Sequence, residues 1–139
     1  FAGFSTTEPW LPLGTDYQRV NVATQQSDPA SMLALYRRLI AHRRDSPALR
    51  EGTWQPIATP PQVIGYERRH HEHVVVVLLN GADSPVQVTL AEPARIVLST
   101  TNRQLAHGAA HTIQLPPRHG LILEPDHTRT QASPTPAAS

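Results

Sequence analysis

The chain has 139 residues, a formal net charge of +1 and no Cys, and all 12 of its cationic residues are Arg. Near-neutrality argues against the basic face of a nucleic-acid-binding protein, and the lack of Cys excludes a disulfide scaffold, a Cys-ligated zinc site and a thiol nucleophile. No apolar run approaches the ~20 residues that a membrane-spanning helix needs. The length suits one ordinary domain, but the chain begins at Phe1 rather than Met, so we expect it to be processed or cut from a longer protein.

Residues 1–27 have the pattern of a loop. Gly and Pro interrupt this segment, and its apolar positions follow neither the strand period nor the helix period. Four of the seven aromatic residues of the chain lie in it, at Phe1, Phe4, Trp10 and Tyr17. A loop this long and this apolar is uncommon inside a compact domain. We therefore expect it to pack on a surface that lies outside the chain.

A helix is predicted over residues 28–45. Asp28 is a favourable N-cap and Pro29 suits the first helical position. Pro47 disfavours helical geometry at the residue before it, so the helix is expected to end near Asp45. The segment after it is not predicted to be helical, so the partner of its apolar face is either a sheet or absent. That face is one stripe at helical spacing, formed by Met32, Leu35, Tyr36, Leu39 and Ile40.

From Thr53 to about Pro125 the pattern changes to that of strands. The run Val74–Leu79 consists of β-branched and aliphatic residues, which is typical of a strand buried on both faces. Six or seven short strands are expected in this region, with turn residues between them and no helical segment. This pattern predicts an antiparallel, all-β sandwich.

Turn signals separate the predicted strands. Asn80-Gly81 ends the buried run, and Glu92-Pro93 is interpreted as a turn between short strands at Val86–Leu90 and Ile96–Leu98. The last residues are mostly Thr, Pro, Ala, Ser and Gln, a composition that cannot bury enough apolar surface to order itself. We therefore expect residues 126–139 to be a disordered tail.

A His-rich segment precedes the buried run. The side chains of His71 and His73 would share one face of a strand, with His70 on the other, whereas zinc needs three or four convergent ligands. We therefore interpret this segment as a polar hairpin turn between Ile64–Arg69 and Val74–Leu79, with no metal site. The other histidines are interpreted as solvated surface residues, namely His42, His107, His111, His119 and His127.

The acidic residues are dispersed along the sequence. Glu8 and Asp16, in the aromatic loop, are the only carboxylates near a plausible pocket wall, and their spacing on an irregular segment does not predict a catalytic pair. No Gly-rich phosphate loop and no Ser framed as a nucleophile elbow occurs. By itself the chain presents no complete active site, so no catalytic residue and no metal ligand is assigned to it.

Several short blocks follow one another in order over the first 52 residues. They are Ala2-Gly3-Phe4-Ser5, Pro9-Trp10-Leu11-Pro12, Asn21-Val22, Asp28-Pro29-Ala30-Ser31-Met32-Leu33, Tyr36-Arg37-Arg38-Leu39-Ile40, Arg43-Arg44, Pro47-Ala48-Leu49 and Gly52. Their pattern resembles the end of the catalytic barrel of α-glucosidases and oligo-1,6-glucosidases in glycoside hydrolase family 13, the α-amylase family. The strands that follow are similar in kind to the C-terminal β-sandwich of that family, with Val74–Asn80 in the place of one of its strands.

The resemblance implies an organisation in three parts. Residues 1–52 would be the end of a (β/α)8 barrel, with a loop near the barrel mouth, where such barrels place active sites, and with residues 28–45 as the last barrel helix. Residues 53–125 would be the C-terminal β-sandwich, and residues 126–139 the tail. The barrel sheet, which precedes this segment in the family, would cover the apolar stripe of the helix.

The resemblance also implies a function for the longer protein. The family's mechanism is retaining glycoside hydrolysis by two carboxylates through a covalent glycosyl intermediate, and its catalytic Asp and Glu residues have no counterpart in this chain. We therefore expect the C-terminal part of an α-glucosidase for short α-linked gluco-oligosaccharides, inactive alone and without a cofactor. The oligosaccharide would bind to the barrel, at residues that the sequence does not identify. No nucleic-acid or membrane partner is expected. The expected location is the bacterial cytoplasm.

Other functions fit the sequence as well. The β-sandwich could be a carbohydrate-binding module, with Trp54 and Tyr66 as the aromatic residues of the strand region, or an interaction domain unrelated to sugars. Within the family, a trehalose- or isomaltulose-forming glucosyl isomerase is a further alternative, because loops outside this segment set the specificity.

Overall fold

The computed structural model describes residues 1–3, 5–101 and 108–126. The chain divides into two compact units, residues 1–41 and 42–139. Apart from Asp126, the predicted tail lies outside the described residues. Within the described residues, three helices precede six strands, in the order α1 Val22–Gln26, α2 Met32–Asp45, α3 Pro47–Glu51, β1 Thr53–Pro56, β2 Val63–His70, β3 His73–Asn80, β4 Val86–Ser99, β5 Ala110–Leu115 and β6 Gly120–Pro125.

The cap of α2 is Ser31, so the prediction of Asp28 as its N-cap is wrong. The backbone N–H of Ala34 donates to the Ser31 hydroxyl at 3.2 Å, as expected of a residue three positions after a cap. The Asp28 carboxylate instead accepts from the N–H of Ala30 at 2.8 Å, which forms a turn before the helix. The helix therefore begins at Met32. Its predicted end is confirmed.

Two short helices, α1 and α3, are not predicted by the sequence pattern. Asn21 caps α1, since its side chain accepts from the N–H of Thr24 at 2.9 Å. Ser46 caps α3 in the same way, accepting from the N–H of Leu49 at 3.4 Å, with Pro47 at the first helical turn. Proline ends one helix and favours the start of the next, because it needs no N–H partner in the first turn.

All strand pairs are antiparallel, which confirms an antiparallel β domain. The strands form one sheet in the order β1-β2-β3-β6-β4-β5, where the sequence predicts the two sheets of a sandwich. The reason is β4, whose first half pairs with β5 and whose second half pairs with β6. The predicted turn at Glu92-Pro93 is wrong, because both residues lie within β4. Pro93 falls where the register shifts between Thr89 and Ala94, a position that needs no ladder N–H.

The sheet curls, so that β3 and β5 approach each other at one end. The side-chain nitrogen of Asn80 donates to the carbonyl oxygens of Pro116 at 2.8 Å and of Ser84 at 2.9 Å, and lies 3.4 Å from that of Leu115. In a flat sheet, strands three places apart would be about 14 Å from each other. These bonds define the Asn80 corner, the closed end of the sheet.

Strand β3 is buried on both faces, as the sequence predicts. Its residues Val75 and Val77 contact Ala48 of α3 on one face. On the other face, Val76 and Leu78 belong to the main core. That core draws on β2, β3, β4, β5 and β6, and its members are Val63, Val76, Leu78, Val88, Leu90, Ala94, Ile113, Leu115, Leu121 and Leu123.

Candidate functional site

The first compact unit exposes the apolar stripe of α2. The exposed fractions of Met32, Tyr36 and Ile40 are 62%, 58% and 56%, and these residues are spaced so that they form one line along the helix. No residue of α2 is buried. An exposed apolar stripe of this kind marks an interaction surface. Within the described part of the chain, no helix is long and apolar enough to cross a membrane.

The aromatic loop of the first unit is exposed as well. The exposed fraction of Trp10 is 92%, and that of Phe1 is 57%; Phe4 lies outside the described residues. Asp16 forms an exposed ion pair with Arg19 at 3.8 Å, within a turn. Such a pair contributes little to stability. The ion pair gives Asp16, one of the two carboxylates of this loop, a partner within the loop itself.

The His-rich segment is a tight hairpin turn between β2 and β3, as the sequence predicts. His70 and His73 are opposite each other in the register of β2 and β3, and His71 adopts a left-handed φ of 52°. The rings of His70 and His71 meet edge to face at 4.4 Å. Across residues 1–3, 5–101 and 108–126, no three His, Asp or Glu side chains are grouped so that they could hold a metal ion.

Two other histidines are not solvated as the sequence suggests. His42 and His119 are half-buried. The Nε2 atom of His119 lies 2.6 Å from the hydroxyl of Ser99, a buried residue. The prediction is therefore wrong for these two positions, because burial of a His depends on its neighbours in space. His107 and His127 lie outside the described residues.

The two aromatic residues of the strand region form a pair with different surroundings. The rings of Trp54 and Tyr66 are 6.2 Å apart and tilted by 36°. Tyr66 packs against the core beneath α3, whereas the exposed fraction of Trp54 is 58%. A sugar could therefore stack on one ring only.

A polar cleft of about 370 Å³ lies between the end of α2 and one end of the sheet. Its charged side chains have both signs, and Arg95 of β4 forms an ion pair at 2.5 Å with Glu124, its partner on the neighbouring strand β6. His42, Asp45, Glu72 and His73 line the remainder. The lining is mostly polar, unlike the apolar lining of most small-molecule sites.

A second cleft, the sheet-end cleft, lies between β2 and the middle of β4 and has a volume of about 400 Å³. Its walls include Glu67, Arg69 and Glu92. The sequence pattern does not reveal this cleft, because Glu92-Pro93 has the composition of a turn. The sequence does carry one signal of it. Glu67 and Arg69 follow Val63 and Gly65 at alternate positions of β2, so charged groups lie on the face that otherwise points to the core.

Comparison with known proteins connects these features to enzymes. Residues 1–52 match the family model of the alpha amylase catalytic domain. The chain is 40% identical over 81 residues to a probable alpha-glucosidase of Rhizobium meliloti, which covers 58% of this chain and 15% of the relative. It is 28% identical over 102 residues to an oligo-1,6-glucosidase of Halalkalibacterium halodurans, covering 68% of this chain and 18% of the relative.

A rat protein named amino acid transporter heavy chain is also similar, at 30% identity over 135 residues, covering 88% of this chain and 20% of the relative. The chain thus spans only 15% to 20% of these relatives.

A solved structure contains the same fold. The trehalulose synthase of Pseudomonas mesoacidophila MX-45 superimposes with a TM-score of 0.79 and 28% sequence identity, covering 88% of this chain and 23% of that chain. The family match covers residues 1–52, and the structural match extends far beyond them into the sheet. Together they show that residues 1–52 match the catalytic domain of alpha amylase and that the chain is similar in sequence and fold to enzymes of the α-amylase family, glycoside hydrolase family 13.

Proposed function

We propose that the chain is the C-terminal part of a retaining α-glucosidase that acts on short α-linked gluco-oligosaccharides. Its catalytic carboxylates would lie on a segment that precedes Phe1 in the complete protein. The observation that carries this proposal is the match of residues 1–52 to the catalytic-domain model, together with the 40% identity to a probable alpha-glucosidase.

The surface of the first unit supports this proposal. Met32, Tyr36 and Ile40 present a continuous apolar line to solvent, and burying such a side chain against a partner contributes about 1.5–3 kcal/mol. In a barrel, the last helix packs its apolar stripe on the barrel sheet. The stripe therefore has the chemistry of a barrel helix whose sheet belongs to another segment.

The chemistry of the proposed enzyme needs no cofactor and no metal ion. One carboxylate attacks the glucosyl carbon while the other protonates the leaving oxygen, and water then cleaves the covalent intermediate. The oligosaccharide would bind at the barrel mouth, near the aromatic loop that carries Trp10. A bacterial cytoplasmic location is part of this proposal and rests on the resemblance to bacterial glucosidases.

A direct test compares the 139-residue chain with the complete protein that contains it, using p-nitrophenyl α-glucoside as substrate. We expect no turnover by the chain and rapid release of nitrophenol by the complete protein. In the complete protein, a retained α-anomer in the first product, detected by NMR, would identify the retaining mechanism. Turnover by the chain alone, or none by the complete protein, would contradict the proposal.

A second candidate is glucosyl isomerisation, favoured by one observation. The solved relatives at 28% identity are trehalulose synthases, one of them described in complex with the substrate sucrose. Incubation of the complete protein with sucrose separates the two functions. Free glucose and fructose would indicate hydrolysis, and a disaccharide isomer would indicate isomerisation.

A further inference from the structure

The sheet-end cleft lies at the end of the sheet opposite the Asn80 corner. Glu67 is paired with Val76, four residues along β2 from the pair of Val63 with Asn80, which corresponds to about 13 Å. Here β4 leaves its regular register with β5 after Thr89. The gap of about 400 Å³ that results falls within the size range of small-molecule sites.

The floor of this cleft is apolar and one wall is charged. Val76, Leu90 and Ala94 form the floor, with exposed fractions of 6%, 8% and 1%. On the β2 wall, the Nε atom of Arg69 donates to the Glu67 carboxylate at 2.8 Å. Charged side chains seldom line the inner face of a sheet. Here they add hydrogen-bonding groups beside an apolar surface, which is the composition typical of a binding site.

The opposite wall comes from the irregular part of β4. Ala91 and Glu92 are exposed and lie within the register shift, beside Pro93, which has no N–H to pair. Irregularities of this kind turn a side chain away from its regular direction and often lie next to functional sites. The shift thus places the Glu92 carboxylate in the lining of the cleft that also holds Glu67.

We propose that the sheet-end cleft binds a glucosyl unit. Sugar hydroxyls both donate and accept, so they can donate to the Glu67 and Glu92 carboxylates and accept from the Arg69 guanidinium. The apolar floor, formed by Val76, Leu90 and Ala94, suits the C–H face of a pyranose ring. An anion would face two carboxylates, which disfavours it. The choice of a glucosyl ligand rests on the proposed function.

The experiment is a titration of the full 139-residue chain with isomaltose, observed on the ligand by saturation-transfer NMR. We expect saturable binding with a dissociation constant on the order of 1 mM, as for a small ligand with few anchoring bonds. Glu92→Gln should weaken binding about tenfold, because it removes a charged acceptor. Ala91→Trp should abolish binding by filling the cleft. Glu51→Gln, an exposed change on α3 outside the cleft, is the matched control and should leave binding unchanged.

Three results would overturn the inference. They are an absence of isomaltose binding by a chain whose sheet is folded by far-UV circular dichroism, binding that Ala91→Trp leaves intact, and binding of 1,4-diaminobutane in place of the sugar. In the complete protein, sugar binding at the cleft and α-glucoside hydrolysis are measured with and without the same Ala91→Trp change. The two readouts separate this inference from the proposed function. Binding at the cleft without α-glucoside hydrolysis by the complete protein would contradict only the proposed function. Hydrolysis without binding at the cleft would contradict only the inference that the cleft binds a glucosyl unit.

Discussion

The side-chain nitrogen of Asn80 lies 2.8 Å from the carbonyl oxygen of Pro116, and this hydrogen bond joins the end of β3 to the residue that follows β5. The Asn80 side-chain oxygen also accepts from the N–H of Ala82 at 2.9 Å. Because Asn80 is only 4% exposed, water has little access to replace these bonds. One side chain therefore holds the curled sheet closed at this end.

Asn80→Ala should lower the free energy of unfolding by about 2–3 kcal/mol, because it leaves several buried backbone groups without their partner. Urea unfolding followed by far-UV circular dichroism measures the change. Gln87→Ala, at an exposed position of β4, is the control and should change stability by less than about 0.5 kcal/mol. Equal effects of the two substitutions would show that the Asn80 corner does not stabilise the sheet.

Gly52→Ala should destabilise the contact between α3 and β2. A Cβ atom at Gly52 would overlap the carbonyl oxygen of Ala48 and lie 2.8 Å from that of Arg69, and both are backbone atoms. Overpacking of this kind costs about 1–3 kcal/mol. The matched control is Gly81→Ala, whose nearest atom would be the Gln62 carbonyl oxygen at 3.8 Å. Thermal unfolding should show a lower midpoint for the first variant and an unchanged or higher one for the second.

Ser31→Ala should weaken the start of α2 by about 1 kcal/mol, because the Ser31 hydroxyl accepts the N–H of Ala34. Amide hydrogen exchange measures this at Ala34, which should lose protection. Asp28→Ala removes only the bond to Ala30, in the turn before the helix, and should leave exchange at Ala34 unchanged. The opposite order of effects would restore Asp28 as the cap.

Replacing the apolar stripe should reduce the exposed hydrophobic surface of the isolated chain. Tyr36 and Ile40 are more than half exposed on α2, so Tyr36→Ser with Ile40→Ser should lower the fluorescence of the dye ANS and the light scattering. Arg37→Ser with Arg43→Ser is the matched control, since it introduces the same residues at exposed positions of the same helix. It should leave the dye signal high. Equal signals from the two variants would show that the stripe is not the interaction surface.

The sequence predicts the parts of this fold that depend on local pattern. The apolar run at Val74–Leu79 indicates a strand buried on both faces, and Asn80-Gly81 indicates its end. Local pattern fails where two signals compete. Glu92-Pro93 has the composition of a turn, yet these residues continue β4, because an antiparallel ladder tolerates a Pro where its register shifts.

The sheet-end cleft is likewise predicted by local pattern on one wall and not on the other. Alternation along β2 places Glu67 and Arg69 on one face, and this can be read from the sequence alone. The residue that faces them cannot be read from the sequence, since Glu92 is 25 positions beyond Glu67 in the chain. The long β4 strand and its irregular register bring that carboxylate to the cleft.

The sequence by itself determined the antiparallel strands among the described residues after Gly52, the end of α2 at Asp45 and the resemblance to the α-amylase family. Each of these is set by neighbouring residues or by short blocks in order. Only the tertiary structure decided the single curled sheet, the bonds of Asn80 and the cleft beside Glu67. These depend on which strands meet, and strand pairing is governed by burial and hydrogen bonding between segments far apart in the chain.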